Sequence, residues 1–129
     1  MDGACARRRR PLPIARMILS VEHSDLAARN TANLRDWYVN TLGAEVIYAN
    51  DKNPPAFLLR LPGGVVLEIY TAHASNEEVS NNRLGGWRHV ALRVDSIETA
   101  RRELESPGVT FTEDIKPAGG GGRVLFFKD

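Results

Sequence analysis

The sequence predicts one α+β domain in which a strand–helix–strand–strand–strand unit occurs twice. The chain has 129 residues, which suffices for one domain and is too short for two ordinary ones. It is 43% hydrophobic and 26% charged, as is typical of globular proteins. Strand-like runs flank helical segments, and the same order begins again after an offset of about 66 residues.

Residues 1–16 are predicted to form a disordered basic leader. They carry five Arg and one Asp, whereas the remaining residues carry 12 basic and 15 acidic side chains. The leader has no hydrophobic periodicity, and the acidic body offers no basic surface for nucleic acid. No apolar run reaches the roughly 18 residues needed to cross a bilayer. The single cysteine, Cys5, lies in the leader, which excludes an internal disulfide and favours a reducing cytoplasm.

The folded domain is expected to span residues 17–129, with its first unit at 17–72. That unit begins with a predicted strand over Met17–Leu26. Asn30 or Thr31 is a suitable N-cap for the helix that follows, and Gly43 is a typical residue at a helix end. Between them, large apolar side chains recur at steps of three and four. Three further strands are predicted, at Ala44–Ala49, Ala56–Leu61 and Val65–Tyr70.

A polar linker, residues 73–86, leads into the second unit, residues 87–129. A strand is predicted over Trp87–Val94, and Asp95 is the expected N-cap of the next helix. Further strands are predicted over Val109–Glu113 and Arg123–Lys128. By the repeat, the last strand of this unit would follow position 129, so we expect it to be missing from this chain.

Strand alternation marks polar side chains that stand apart from the core face. In the strand Val65–Tyr70 it places Glu68 opposite Leu67 and Ile69. An ionised carboxylate in so apolar a strand is costly unless it reaches water, a cation or hydrogen-bond donors. His89 likewise faces away from the apolar set of its strand, and His23 occupies the equivalent position in the first unit.

Two histidines at equivalent positions, together with a carboxylate on a third strand, suit a divalent Zn, Ni, Fe, Co or Mn ion with open positions for substrate. Taken one at a time, each histidine has a simpler interpretation as a hydrogen-bonded structural residue. Glu68, taken alone, has one as a solvent-facing side chain.

Five short segments stand in a characteristic order and spacing: His23–Leu26, Trp37–Gly43, Leu67–Ile69, His89–Leu92 and Phe126–Asp129. Together they resemble the vicinal oxygen chelate superfamily of glyoxalases, bleomycin-resistance proteins and dioxygenases. The resemblance covers residues 17–129 as a single glyoxalase-like domain. It implies two βαβββ units that form a curved mixed sheet around a cleft, with the metal on the concave side.

In the glyoxalase-like branch, the resemblance implies that His23, Glu68 and His89 are metal ligands and that Glu68 also acts as the catalytic carboxylate. A fourth ligand is expected on the strand beyond position 129. The implied function is that of a metal-dependent lyase or isomerase, similar to lactoylglutathione lyase. Such an enzyme acts on a small oxygenated substrate through a chelated enediolate or enolate.

Arg93 and Tyr70 are candidate substrate-binding residues. Arg93 lies two positions after His89 on its strand, and Tyr70 lies two positions after Glu68, so each shares a strand face with a predicted ligand. A solvated arginine and a packed aromatic are the alternative interpretations.

The superfamily also implies a homodimer, which an unpaired sheet edge would favour. Two other functions stay open: an Fe(II) extradiol-type dioxygenase and a metal-free drug-binding resistance protein.

Overall fold

A computed structural model describes residues 20–74, 83, 85–86 and 89–129 and confirms the α+β class. The predicted leader, residues 17–19, most of the linker and Trp87 lie outside these residues. The first unit contains β1 (Ser24–Ala28), α1 (Thr31–Leu42), β2 (Glu45–Ala49), β3 (Phe57–Arg60) and β4 (Val66–Thr71). The second contains α2 (Ile97–Glu105), β5 (Lys116–Pro117) and β6 (Arg123–Val124).

Helix α1 begins and ends where the sequence predicts. The Asn30 side chain accepts a hydrogen bond from the Asn33 backbone N–H at 2.9 Å, which satisfies one of the free donors of the first turn. Gly43 ends the helix with φ of +67°, a left-handed conformation that costs glycine little.

The four strands of the first unit form one mixed sheet in the order β1-β4-β3-β2, with β1 parallel to β4 and β3 antiparallel to both of its neighbours. The core lies between this sheet and α1. Leu59, Leu67 and Ile69 are at most 1% exposed and pack with Tyr38 of the helix. Burying each aliphatic side chain stabilises the fold by about 1.5–3 kcal/mol. The predicted inward face of β4 is thus confirmed at Leu67 and Ile69.

The second unit departs from the predicted strands. Helix α2 forms, but its N-cap is Ser96 instead of Asp95, with the Thr99 N–H donating to the serine Oγ at 3.2 Å. Among the described residues of the predicted strand Trp87–Val94, none is paired in a sheet, and Val90 is 54% exposed. The strand Val109–Glu113 does not form, and Arg123–Lys128 contributes only the two residues of β6.

The missing strand at residues 89–94 has a physical cause. An alternating pattern supplies strand propensity, but a strand forms only where a neighbour accepts and donates its backbone hydrogen bonds. Residues 89–94 have the pattern and lack the neighbour in the described part of the chain.

The C-terminal segment contacts α1. The rings of Trp37 and Phe127 have centroids 6.2 Å apart, and the Tyr38 hydroxyl donates to Asp129 Oδ2 at 2.6 Å. Burial, and to a lesser extent this hydrogen bond, raises the pKa of Tyr38 above its ordinary value of 10.0.

Neither helix in the described segments has the length and apolar character needed to traverse a membrane.

Candidate metal centre

The face of the sheet opposite α1 carries a row of side chains that share one register. Tyr48 of β2 lies opposite Leu58 of β3, which lies opposite Glu68 of β4. The row extends to Asp25 of β1, the parallel partner of Glu68. Because paired residues point to the same face of a sheet, these groups lie on the side away from the Leu59–Leu67 core.

A register shift in β2 brings Tyr48 into this row. Val46 pairs with Leu59, and the next pair is Tyr48 with Leu58, so that Ile47 is an extra residue between them. In a regular strand Ile47 would lie opposite Leu58 and Tyr48 would point to the other face.

His23 immediately precedes β1 and reaches Glu68 across the parallel β1–β4 pair. The distance from His23 Nε2 to Glu68 Oε2 is 3.4 Å, and the two side chains are 35% and 37% exposed. Both groups are therefore accessible to an ion or small ligand from solvent while being held by the sheet. The structure thus brings together two of the three residues in the predicted ligand set.

The separation of these atoms suits coordination of one ion. Donors that each lie about 2.1 Å from a tetrahedral ion are about 3.4 Å apart, as Nε2 and Oε2 are here. An imidazole nitrogen with a carboxylate oxygen is also a donor set that first-row divalent metals accept. His23 and Glu68 therefore fit a divalent metal in both distance and chemistry.

The second ring nitrogen of His23 has its own partner. Nδ1 lies within hydrogen-bonding distance of Glu22 Oε2. This hydrogen bond raises the pKa of His23 above its ordinary value of 6.5, against a smaller opposing effect of desolvation. The negative charges of Glu22, Glu68 and Asp25 raise the pKa of His23 further.

A cavity of about 230 Å³ opens beside the His23–Glu68 pair. Its described lining contains the charged or titratable side chains Glu22, His23 and Glu68, the polar side chains Asn50 and Tyr48, and an apolar wall of Ala56, Phe57 and Leu58. Asn50 shapes the β2–β3 turn, because its Oδ1 accepts from the Ala56 N–H at 2.9 Å. The sequence predicted two of these residues, His23 and Glu68. It did not predict Tyr48, whose direction depends on the register shift in β2.

The other predicted site residues lie elsewhere. The His89 ring packs edge-on against Phe126, with centroids 5.9 Å apart. Arg93 is exposed, and neither it nor Tyr70 lines the cavity. Among the described residues, no three His, Cys, Asp or Glu side chains are grouped closely enough to hold a metal. A single chain thus assembles His23 and Glu68 without His89.

The sequence is similar to a known protein family and to a bacterial protein. The family model described as "Glyoxalase/Bleomycin resistance protein/Dioxygenase superfamily" matches residues 20–129. The uncharacterized protein YwkD of Bacillus subtilis (strain 168) is 28% identical over 117 residues, which is 88% of this chain and 91% of that protein.

Solved structures show the same fold. The crystal structure of SMU.1112c is similar with a TM-score of 0.72 and 30% identity, covering 88% of this chain and 92% of that one. The fosfomycin resistance protein FosX from Listeria monocytogenes matches with a TM-score of 0.63 and 18% identity, covering 88% and 83% of the two chains. That FosX structure is of a point mutant in complex with Mn(II) and a dihydroxypropylphosphonic acid.

Proposed function

We propose that this chain, which belongs to the Glyoxalase/Bleomycin resistance protein/Dioxygenase superfamily, is a metal-dependent lyase or isomerase that acts on a small substrate with adjacent oxygen atoms. The observation that carries the proposal is the His23–Glu68 pair, whose donor atoms are 3.4 Å apart beside an open cavity. The Mn(II) in the FosX complex supports a divalent ion in a domain of this fold.

The proposed ligand set is His23, Glu68 and His89, with His89 supplied by a second copy of the chain. Strand β1 is an edge of the sheet, so one side of its backbone is free to pair. The segment 89–94 has strand alternation, lacks a partner in the described part of its own chain, and exposes Leu92 by 44%. Pairing this segment with β1 of another copy would bury its apolar side chains and carry His89 toward His23.

The chain's residues have distinct roles in the proposed reaction. A bound divalent ion would supply Lewis-acid stabilisation of the negative charge that develops on the substrate oxygens. A carboxylate oxygen of Glu68 would remove the proton from the hydroxyl-bearing carbon next to a carbonyl and return it to the carbonyl carbon. The hydroxyl proton would pass to the former carbonyl oxygen, so that substrate and product are isomers. Tyr48 and Leu58 line one side of the cavity, where they would contact a substrate bound beside Glu68.

Arg93 and Tyr70 are the proposed contacts for the rest of the substrate. Arg93 lies two residues after His89, so a partner copy that contributes His89 brings this guanidinium to the same face. Tyr70 follows Glu68 by two residues on β4 and is 41% exposed.

A reducing cytoplasm is the proposed compartment, as the single cysteine predicts.

The proposal is tested by metal analysis of protein purified without a chelator. We expect a near-stoichiometric divalent ion in the wild type, loss of that ion in Glu68→Gln, and retention of it in the control Glu45→Gln. Glu45 is an exposed strand carboxylate that pairs with Arg60 at 3.3 Å, away from the cavity. Wild-type protein that neither carries nor binds a divalent ion would refute the enzyme and favour a metal-free binding protein.

A second measurement separates the enzyme classes. Chelator should abolish turnover of compounds with adjacent carbonyl and hydroxyl oxygens, and added metal should restore it, without consumption of dioxygen. Dioxygen uptake with ferrous ion and a catechol would instead assign the chain to the dioxygenases.

A further inference from the structure

Glu22 is a carboxylate beside the proposed metal centre that has no role in the mechanism above. Its Oε2 lies against His23 Nδ1, while His23 Nε2 faces Glu68. One imidazole ring is thus placed between two carboxylates, each next to a different ring nitrogen. The Glu22 side chain is 80% exposed, so its charge is held in place at little cost in desolvation.

A neutral imidazole carries one N–H and one lone pair, and the nitrogen that donates determines which nitrogen can bind a metal. An ionised carboxylate only accepts hydrogen bonds, so Glu22 favours the ring form with the proton on Nδ1. In that form the lone pair is on Nε2, directed to the side of Glu68.

We propose that Glu22 is the positioning residue for His23: it holds the imidazole in the Nδ1–H form with Nε2 directed toward the metal centre. This inference rests on the proposed function, because the orientation of Nε2 has a function only if His23 binds a metal. Carboxylates that orient a ligating histidine in this way also make the ligand nitrogen more basic, and their loss commonly weakens metal binding by about 10–100-fold.

Asp25 offers a matched control for the charge of Glu22. It is two positions after His23, and its negative charge also acts on the ring. The structure gives Asp25 no hydrogen bond to His23, whereas Glu22 has one. Comparing Glu22→Ala with Asp25→Asn therefore separates the directed hydrogen bond from the loss of one negative charge nearby.

The experiment consists of two measurements. Long-range ¹H–¹⁵N correlation spectra of metal-free, ¹⁵N-labelled protein, at a pH where His23 is neutral, report which ring nitrogen carries the proton. Calorimetric titration with Mn(II) alone reports the Kd. We expect the Nδ1–H form in the wild type and in Asp25→Asn. In Glu22→Ala we expect a shift toward Nε2–H and a Kd raised about 10–100-fold. Glu22→Gln, whose amide can donate to Nδ1 as well as accept from it, should shift part of the population toward Nε2–H.

The two proposals fail in different ways. An unchanged ring form and an unchanged Kd in Glu22→Ala would overturn the role of Glu22 and leave the metal site standing. Equal weakening in Glu22→Ala and Asp25→Asn would overturn it as well, because charge alone would explain the effect. A ring form that is Nδ1–H in the wild type and shifts in Glu22→Ala, in a protein that binds none of Mn(II), Zn(II), Ni(II), Co(II) and Fe(II), would support the orientation by Glu22 and refute the metal-dependent function.

Discussion

Mixing two inactive variants tests whether two chains share one metal centre. His23→Ala retains His89, and His89→Ala retains both His23 and Glu68. If a centre takes His23 and Glu68 from one chain and His89 from its partner, neither variant alone forms an intact centre. In a mixed dimer one of the two centres regains all three side chains and the other lacks both histidines.

The size of the recovery follows from the symmetry of the dimer. Random reassociation of equal amounts gives mixed dimers in about half of the cases, and each has one intact centre out of two. Roughly one quarter of the wild-type number of tight metal sites should therefore reappear. The structure motivates this arrangement, because His23 and Glu68 are 3.4 Å apart while His89 packs on Phe126 instead.

The assay is Mn(II) binding stoichiometry after the two variants are unfolded together and refolded. A mixture of His23→Ala with Glu68→Gln is the matched control, because both changes affect the same half of the centre and every mixed centre lacks one ligand. No recovery in the first mixture, with intact dimers by size-exclusion chromatography, would refute a shared centre. Equal recovery in both mixtures would also refute it.

Three further changes test the fold through urea-induced unfolding. Leu59→Ala should destabilise the protein by about 2–5 kcal/mol, because it leaves a cavity at a fully buried position between sheet and helix. Tyr38→Phe should cost about 1–2 kcal/mol, since it removes a part-buried hydrogen bond to the Asp129 carboxylate. The hydrogen bond from Arg123 lowers the pKa of Glu98 below its ordinary value of 4.5. Its stabilisation is thus complete above pH 4.5 and lost as the pH falls through the lower folded value, so wild type and Glu98→Gln should converge in acid.

Each of these changes has a control in the same chain. Val65→Ala, at a position 50% exposed, should change the free energy of unfolding far less than Leu59→Ala. Tyr48→Phe removes a hydroxyl from a side chain that is 56% exposed and should be nearly neutral for stability. Glu103→Gln, on the same helix α2, is the charge-matched control for Glu98→Gln. A Leu59→Ala variant as stable as its control would contradict the placement of the core, and a difference between Glu98→Gln and wild type that persists in acid would contradict the ion pair.

Local signals account for what the sequence predicted well. Asn30 and Gly43 mark the ends of α1 through capping chemistry that involves only a few neighbouring residues. The apolar alternation around Leu67 and Ile69 predicted the buried face of β4, and it left Glu68 on the opposite side, where the cavity lies.

Non-local pairing accounts for what the sequence did not predict. The pattern of residues 89–94 has no information about where a neighbouring strand lies, so a strand was predicted where the described chain has none. Tyr48 was missed because its direction depends on its pairing with Leu58 across a register shift. Glu22 was missed because the predicted strand Met17–Leu26 included it, and strand alternation places the neighbours Glu22 and His23 on opposite faces. In the structure β1 begins only at Ser24, and Glu22 contacts His23.

The extra residue in β2 determines which side chain of this strand lines the cavity. Because Ile47 is an extra, unpaired residue, the phenol of Tyr48 lies beside Leu58. In a hairpin of regular register, Ile47 would pair with Leu58 and its aliphatic side chain would take that place. Replacing the phenol of Tyr48 by the side chain of Ile47 would remove a hydrogen-bonding hydroxyl from the pocket, while Leu67 and Ile69 would stay packed in the core. A shift of this hairpin by one position would therefore change the side chain that lines the pocket and leave the core in place.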